Sequence, residues 1–188
     1  PSNKLSNYLF RNNGDLTFSN VTADWGISLP SVSNAAAYAD LDNDGDLDVV
    51  INNLDGRVRV YRNNRERKPG NHFLGIRLKE GGMNDFAVGA RVTIEGVSGN
   101  RQYFDMQPVR GFQSSMDPVI HAGLGDDTLV KEISVQWPDG KSSRWRNIKA
   151  NQVVTLSPGP LQDMPPVKPA ALFDDITSGS GLDIIPRQ

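Results

Sequence analysis

The chain has 188 residues, 37% of them hydrophobic, which suffices to bury a modest core in one large domain or two small ones and excludes a chain disordered throughout. Lys and Arg total 20 against 22 Asp and Glu, so the formal net charge of -2 implies no general attraction to nucleic acid. Cysteine is absent, so disulfides contribute nothing to stability, and no apolar run approaches the ~20 residues that a membrane-crossing helix needs.

The first predicted elements are short, β-rich and separated by turn residues. Residues 8–10 and Leu16-Thr17-Phe18 read as strands joined by the hairpin turn Asn12-Asn13-Gly14-Asp15. Ala35-Ala36-Ala37-Tyr38-Ala39 then leads into Asp40-Leu41-Asp42-Asn43-Asp44-Gly45-Asp46-Leu47-Asp48, and Val49-Val50-Ile51 leaves it as another strand. The acidic stretch sets side-chain oxygens at loop positions 1, 3, 5 and 9 (Asp40, Asp42, Asp44, Asp48) and a backbone carbonyl at position 7 (Asp46), a spacing suited to the hard oxygen ligands of Ca²⁺. Four neighbouring carboxylates repel one another unless a cation or protonation relieves them. The context argues against an ordinary EF-hand, whose position 12 carries a bidentate Glu that opens a helix, whereas here position 12 is Ile51. The competing readings are a solvated acidic turn and a Mg²⁺ site, the latter disfavoured by that ion's strict octahedral geometry.

Asp55-Gly56 marks a second hairpin turn before the alternating Arg57-Val58-Arg59-Val60. The basic run of Arg57, Arg59, Arg62, Arg65, Arg67 and Lys68 carries no recognition motif and reads as a solvated strand face. Leu9-Phe10-Arg11-Asn12-Asn13 returns as Val60-Tyr61-Arg62-Asn63-Asn64, a spacing of 51 residues that fits one propeller blade. A later echo relates residues 18–27 to residues 173–182.

Residues 65–70, with Pro69-Gly70, read as a linker into a second unit over 71–158. Its expected strands are residues 73–78, 90–94, 102–106, 118–122, 133–137 and 153–156, with Pro138-Asp139-Gly140-Lys141 as a turn after the fifth. Many short strands without helical periodicity favour a sandwich over a small barrel. Residues 159–170 form a proline-rich connector, and 171–188 read as the start of a further repeat block. Pro1 in place of an initiator Met, and the fresh apolar pair Ile184-Ile185, suggest a piece of a longer chain.

The motifs in residues 7–64 resemble the FG-GAP or VCBS repeat, the calcium-loop blade of integrin-type propellers; they are the two echoing blocks, the acidic loop and Asn52-Asn53-Leu54-Asp55-Gly56. Residues 71–156 resemble the ASPIC and UnbV domain through Asn71-His72-Phe73-Leu74, Val88-Gly89-Ala90-Arg91-Val92, His121-Ala122-Gly123-Leu124-Gly125 and Val135-Gln136-Trp137-Pro138-Asp139-Gly140. The resemblance implies an all-β chain, a partial β-propeller blade region (1–64) followed by a β-sandwich-like domain, in a secreted, periplasmic or cell-surface setting. Since a closed propeller takes four to eight blades, ring closure within these residues is not expected.

Catalysis has no comparable signature. Glycosidase carboxylates stand roughly 5–9.5 Å apart across a sugar, whereas groups converging on one ion serve charge neutralisation. His72 and His121 are the only histidines, each read as structural, and Ser114 and Ser115 sit in no nucleophile elbow. Trp137 ends the alternation Ile133, Val135, Trp137 and is expected in the core; Trp25 and Trp145 are likewise assigned to packing before sugar stacking. The expectation is therefore a noncatalytic, calcium-binding interaction or adhesion module, with Asp40, Asp42, Asp44, Asp46 and Asp48 as metal ligands. Its partner is an unidentified protein or glycan of the cell surface or matrix, without nucleic acid or membrane insertion, and chain–chain association stays open. The alternative is a carbohydrate-binding accessory region of an exported glycan-processing enzyme.

Overall fold

The computed structural model describes residues 3–54, 56–64, 70–111 and 114–159. Among these the chain is almost entirely strand, arranged in several sheets with no closed barrel, a partial blade region followed by a β-sandwich-like unit. The expected linker at 65–70, except Gly70, and the segment from 160 onward lie outside the described residues.

The first hairpin forms where the turn chemistry places it. β1 (Phe10–Asn12) and β2 (Phe18–Asn20) pair antiparallel, with Arg11 opposite Ser19. Within the turn the Gly14 amide donates to Asn12 Oδ1 at 2.8 Å and the Thr17 amide to Asp15 Oδ1 at 3.0 Å, side chains replacing the backbone partners that a reversing chain lacks. The following residues fold back on β1. The Val21 amide donates to Leu9 O (2.9 Å) and the Leu9 amide to Thr22 Oγ1 (2.8 Å).

β3 (Ser33–Ala39), β4 (Asp48–Asn53) and β5 (Arg59–Tyr61) form an antiparallel three-stranded sheet in that order. The acidic loop is the β3–β4 connection. Little of this region is buried: among its described apolar residues only Val21, Ile27 and Ile51 are.

The second unit is built differently. β6 (His72–Leu78) sits between β11 (Val119–Gly125), antiparallel to it, and β14 (Gln152–Leu156), parallel to it. The facing sheet runs in the order β13 (Ser142–Lys149), β12 (Leu129–Gln136), β7 (Arg91–Gly96) and β8 (Arg101–Asp105). A short 3-10 turn at Gly82–Asn84 and a small pair, β9 (Val109–Gly111) with β10 (Ser114–Ser115), complete the unit. One continuous core joins Leu74, Ile76 and Leu78 of β6 to Val92 and Ile94 of β7 and to Val130, Ile133 and Val135 of β12.

Strand alternation explains which residues enter that core, and one break in it has a structural cause. On β12 the buried positions pass from Val130 straight to Ile133, skipping the every-second-residue rhythm of a regular strand, and the β12–β7 register shifts between Val130 and Glu132. The extra residue, Lys131, is absorbed as a bulge, which restores Ile133 and Val135 to the core face. Trp137 follows them inside at 2% exposure, its Nε1 donating to Ser143 Oγ at 2.9 Å and its ring meeting Trp145 edge-on.

The six strands expected in this unit all form, with boundaries moved by a few residues. The pattern missed the short β9 and β10 and, more consequentially, β13. Its sequence, Ser-Ser-Arg-Trp-Arg-Asn-Ile-Lys, is mostly polar because it is an edge strand, buried chiefly at Ser143. The turn at Pro138-Asp139-Gly140-Lys141 was the available signal, since a tight turn after β12 implies a returning partner.

Candidate metal centre

The 40–48 loop closes on itself through its own carboxylates. Asp40 sits just beyond the end of β3, and its two oxygens accept the backbone amides of Asp44 and Gly45, both at 3.1 Å. Asp44 Oδ1 accepts the Asp46 amide at 3.2 Å. Asn43 (φ 60) and Gly45 (φ 96) take left-handed backbone, which curls the loop so that alternate side chains point to a common centre. Carboxylate oxygens of Asp40, Asp42 and Asp44 lie within 4.8 Å of one another, with Asp42 exposed and the other two half-buried.

Arg62, just past β5, supplies positive charge to this cluster. Its Nε lies 2.8 Å from Asp42 Oδ2 and its terminal nitrogen 3.1 Å from Asp44 Oδ2. The carboxyl groups respond unequally. Crowding within the loop strips water from Asp42 and holds its pKa above the ordinary value, the opposing attraction of Arg62 being outweighed with help from the charges of Asp44 and Asp48. Desolvation acts on Asp44 as well, but the Asp46 amide and the Arg62 guanidinium overcome it and hold that carboxyl below the ordinary value.

The five expected ligands divide into two groups. Asp40, Asp42 and Asp44 converge; Asp46 and Asp48 lie outside that group of three. Asp48 is buried at the start of β4, its Oδ2 accepting the Leu41 amide (3.2 Å) and its Oδ1 the Asn63 amide (2.8 Å), so it ties the loop's first turn to the end of β5. The residues present fit a hard divalent cation: three convergent carboxylates, and a guanidinium that already partly offsets their repulsion.

Sequence reasoning did not foresee that the loop touches the second unit. Gly45 is buried with its α-carbon against the Phe73 ring of β6, into which a Cβ at that position would run directly. Phe73 stacks in turn on His121 of β11, ring centroids 5.6 Å apart and nearly parallel at 13°. Burial lowers the His121 pKa, opposed by the charges of Asp40 and Asp117, which sets the imidazole within electrostatic reach of the loop. His72 is structural in another way, its Nδ1 lying against the Asn151 side-chain amide.

Two arginines of the basic run are engaged by the chain itself. Arg59 donates to the carbonyls of Leu29 (2.9 Å) and Pro30 (3.3 Å), and Arg62 is engaged by the acidic loop; Arg65, Arg67 and Lys68 lie outside the described residues. The three tryptophans form no joint platform, since Trp137 is buried and meets Trp145 at 76°, while half-exposed Trp25 lines a separate cavity of about 750 Å³ with Leu9, Ile27, Val49 and Val60. No helix of the described residues is long and apolar enough to cross a membrane.

Comparison with known proteins agrees with this two-part construction. Residues 2–51 match the FG-GAP-like repeat model and residues 80–162 match the ASPIC and UnbV model. The chain is similar to cartilage acidic protein 1 of Homo sapiens, 24% identical over 192 residues covering 97% of this chain and 28% of the relative. It is also similar to the proteins of that name from Mus musculus (26% over 143 residues, 74% and 22%) and Xenopus tropicalis (29% over 156 residues, 79% and 22%). The chain thus spans about a quarter of the length of the curated relatives it matches.

Proposed function

Given a chain that carries an FG-GAP-like repeat and an ASPIC and UnbV domain, we propose that the 40–48 loop is a Ca²⁺ site and that the whole serves as a noncatalytic interaction or adhesion module outside the cell. The observation that carries this reading is the convergence of Asp40, Asp42 and Asp44. Asp46, through its backbone carbonyl, and Asp48 complete the proposed ligand set. When bound, the ion supplies charge neutralisation and a rigid link among loop oxygens.

The chain's own residues do the rest. Asp40 and Asp48 hold the loop and the end of β5 through four amides, and Gly45 seats the loop on Phe73, so stiffness in the loop is passed to the junction between the units. The matched families support a secreted, periplasmic or surface-associated setting, with an unidentified protein or glycan as partner. Calorimetric titration with Ca²⁺ after exhaustive chelation tests the site. Binding heat is expected from the natural chain, with affinity at least about tenfold weaker in Asp42→Asn; absence of uptake by the natural chain sinks the reading.

A further inference from the structure

The two sheets of the second unit turn very different outer faces to their surroundings. The three-stranded sheet lies against the acidic loop, where Phe73 meets Gly45. On the four-stranded sheet, residues alternate between the core and the opposite side, and the register aligns the outward ones into rows across all four strands. One row is Arg144, Ser134, Thr93, Tyr103 and the next is Arg146, Glu132, Glu95, Arg101; a third ends in Arg91 and Asp105. Three inter-strand spacings of about 4.8 Å make each row about 14 Å long.

The second row contains a conflict, since Glu132 and Glu95 stand directly opposite and like charges so placed cost stability unless cations answer them. Each is answered twice. Glu95 accepts from Arg101 through Nε (3.2 Å) and a terminal nitrogen (2.9 Å) and pairs with Lys131, which the β12 bulge brings to it. Glu132 accepts from Arg146 Nε at 2.8 Å and lies 3.6 Å from Arg144 Nε. Hydrogen bonds from Lys131 and Arg146 hold the two carboxyls below their ordinary value, so both acids are charged at neutral pH. The acids lie low and the cations high: Glu95 and Glu132 are 19% and 21% exposed, whereas Arg101, Lys131 and Arg146 are at least 60% exposed. With the Arg91–Asp105 pair the face has five cations to three acids, a positive surplus in a chain of formal net charge -2. Arg146 donates only through Nε among the described residues, which leaves its terminal nitrogens for a ligand.

We propose that this face binds an acidic polysaccharide, a sugar chain bearing sulfate or carboxylate groups, laid across the strands. Tyr103, 72% exposed at the β8 edge, offers a ring on which a sugar face stacks, and the Thr93 hydroxyl beside it meets sugar hydroxyls. Arg101, Lys131 and Arg146 take the anionic groups, guanidinium forks being matched to two-oxygen anions. The two carboxylates act as positioning residues that hold these cations in place. Tyr103 is the one large ring or apolar side chain among the outward residues of these rows. A protein partner seeks an apolar centre to its interface, and a single-stranded nucleic acid seeks successive aromatic rings; a sugar chain needs one ring and many polar groups. The proposal names the partner class for the interaction-module reading, on which it rests, and it does not depend on the Ca²⁺ loop.

Titration of the full chain with a heparin oligosaccharide at low salt, Ca²⁺ present, tests the face. The natural chain should bind it, and the affinity should fall as salt is raised. Lys131→Ala combined with Arg146→Ala should weaken binding at least about tenfold, and Tyr103→Ala by about three- to tenfold, whereas Tyr103→Phe and the exposed control Arg11→Ala on β1 should bind as the natural chain does. All of these positions are exposed, so the variants should keep the natural unfolding transition. No binding by the natural chain overturns the proposal, as does equal weakening in Arg11→Ala. Polyglutamate or oligothymidylate bound as tightly as the oligosaccharide, or full affinity in Tyr103→Ala, reduces the face to general charge attraction and overturns it too. Ca²⁺ uptake by the 40–48 loop is read by a separate titration, so failure here is distinguishable from failure of the metal site.

Discussion

The two halves of this molecule solve the problem of stability in opposite ways. The unit from β6 to β14 encloses a continuous apolar core between two sheets, whereas the repeat region leaves Tyr8, Phe10, Leu16, Phe18, Trp25 and Val60 exposed and buries Thr22, Ser31, Asp48 and Asn53. The first half of the chain is held by turns, side-chain to backbone bonds and an acidic loop; the second is held by packing. A blade stacks against neighbours and completes its core through them, while a sandwich covers its own inner faces.

The sharpest way to break this comparison is through the cores. Ile133→Ala, at a fully buried position, is expected to cost about 2–5 kcal/mol in denaturant unfolding, while Leu16→Ala, at 97% exposure, should fall within about 0.5 kcal/mol of the natural chain. Equal effects would mean that the repeat region hides a core of its own.

The contact between halves gives the next largest effect. Gly45→Ala combines a strained backbone with a clash against Phe73 and should destabilise by about 2–4 kcal/mol. Gly26→Ala shares the positive φ but meets no atom within 4 Å, so it should cost only about 1–2 kcal/mol. A difference near zero between the two would indicate that the loop does not rest on β6.

Smaller changes sharpen the electrostatic side. Arg62 holds Asp42 and Asp44, so Arg62→Ala should tighten Ca²⁺ binding by about three- to tenfold in the same calorimetric titration that Asp42→Asn weakens. In the second unit, hydrogen bonding from Arg146 holds the Glu132 carboxyl below its ordinary value of 4.5, against the opposing effect of burial. A depressed acid pKa stabilises the fold above the unfolded value and loses that contribution as pH falls through the folded one. Glu132→Gln should therefore cost about 0.5 kcal/mol near neutral pH, and its stability should converge on that of the natural chain in acid.

Much of this was legible beforehand because it is local. Alternation in Ile133, Val135 and Trp137 predicted their burial, and Asn12-Asn13-Gly14-Asp15 predicted the hairpin it forms. β13 was hidden because an edge strand needs little apolar sequence, and the Lys131 bulge because one inserted residue looks like noise until its partner strand is known. In the acidic loop the spacing named all five candidates but could not separate Asp48, turned toward two backbone amides, from the three that converge.

The amino-acid order by itself determined the all-β character, the repeat and the acidic loop, because periodicity, turn residues and carboxylate spacing act over a few neighbouring positions. Only the tertiary structure decided that Arg62 answers Asp42 and Asp44, and that Phe73 lies on Gly45 with His121 behind it. Those meetings join residues far apart along the chain, and which distant side chains touch is fixed by how whole sheets pack, a quantity no local pattern encodes.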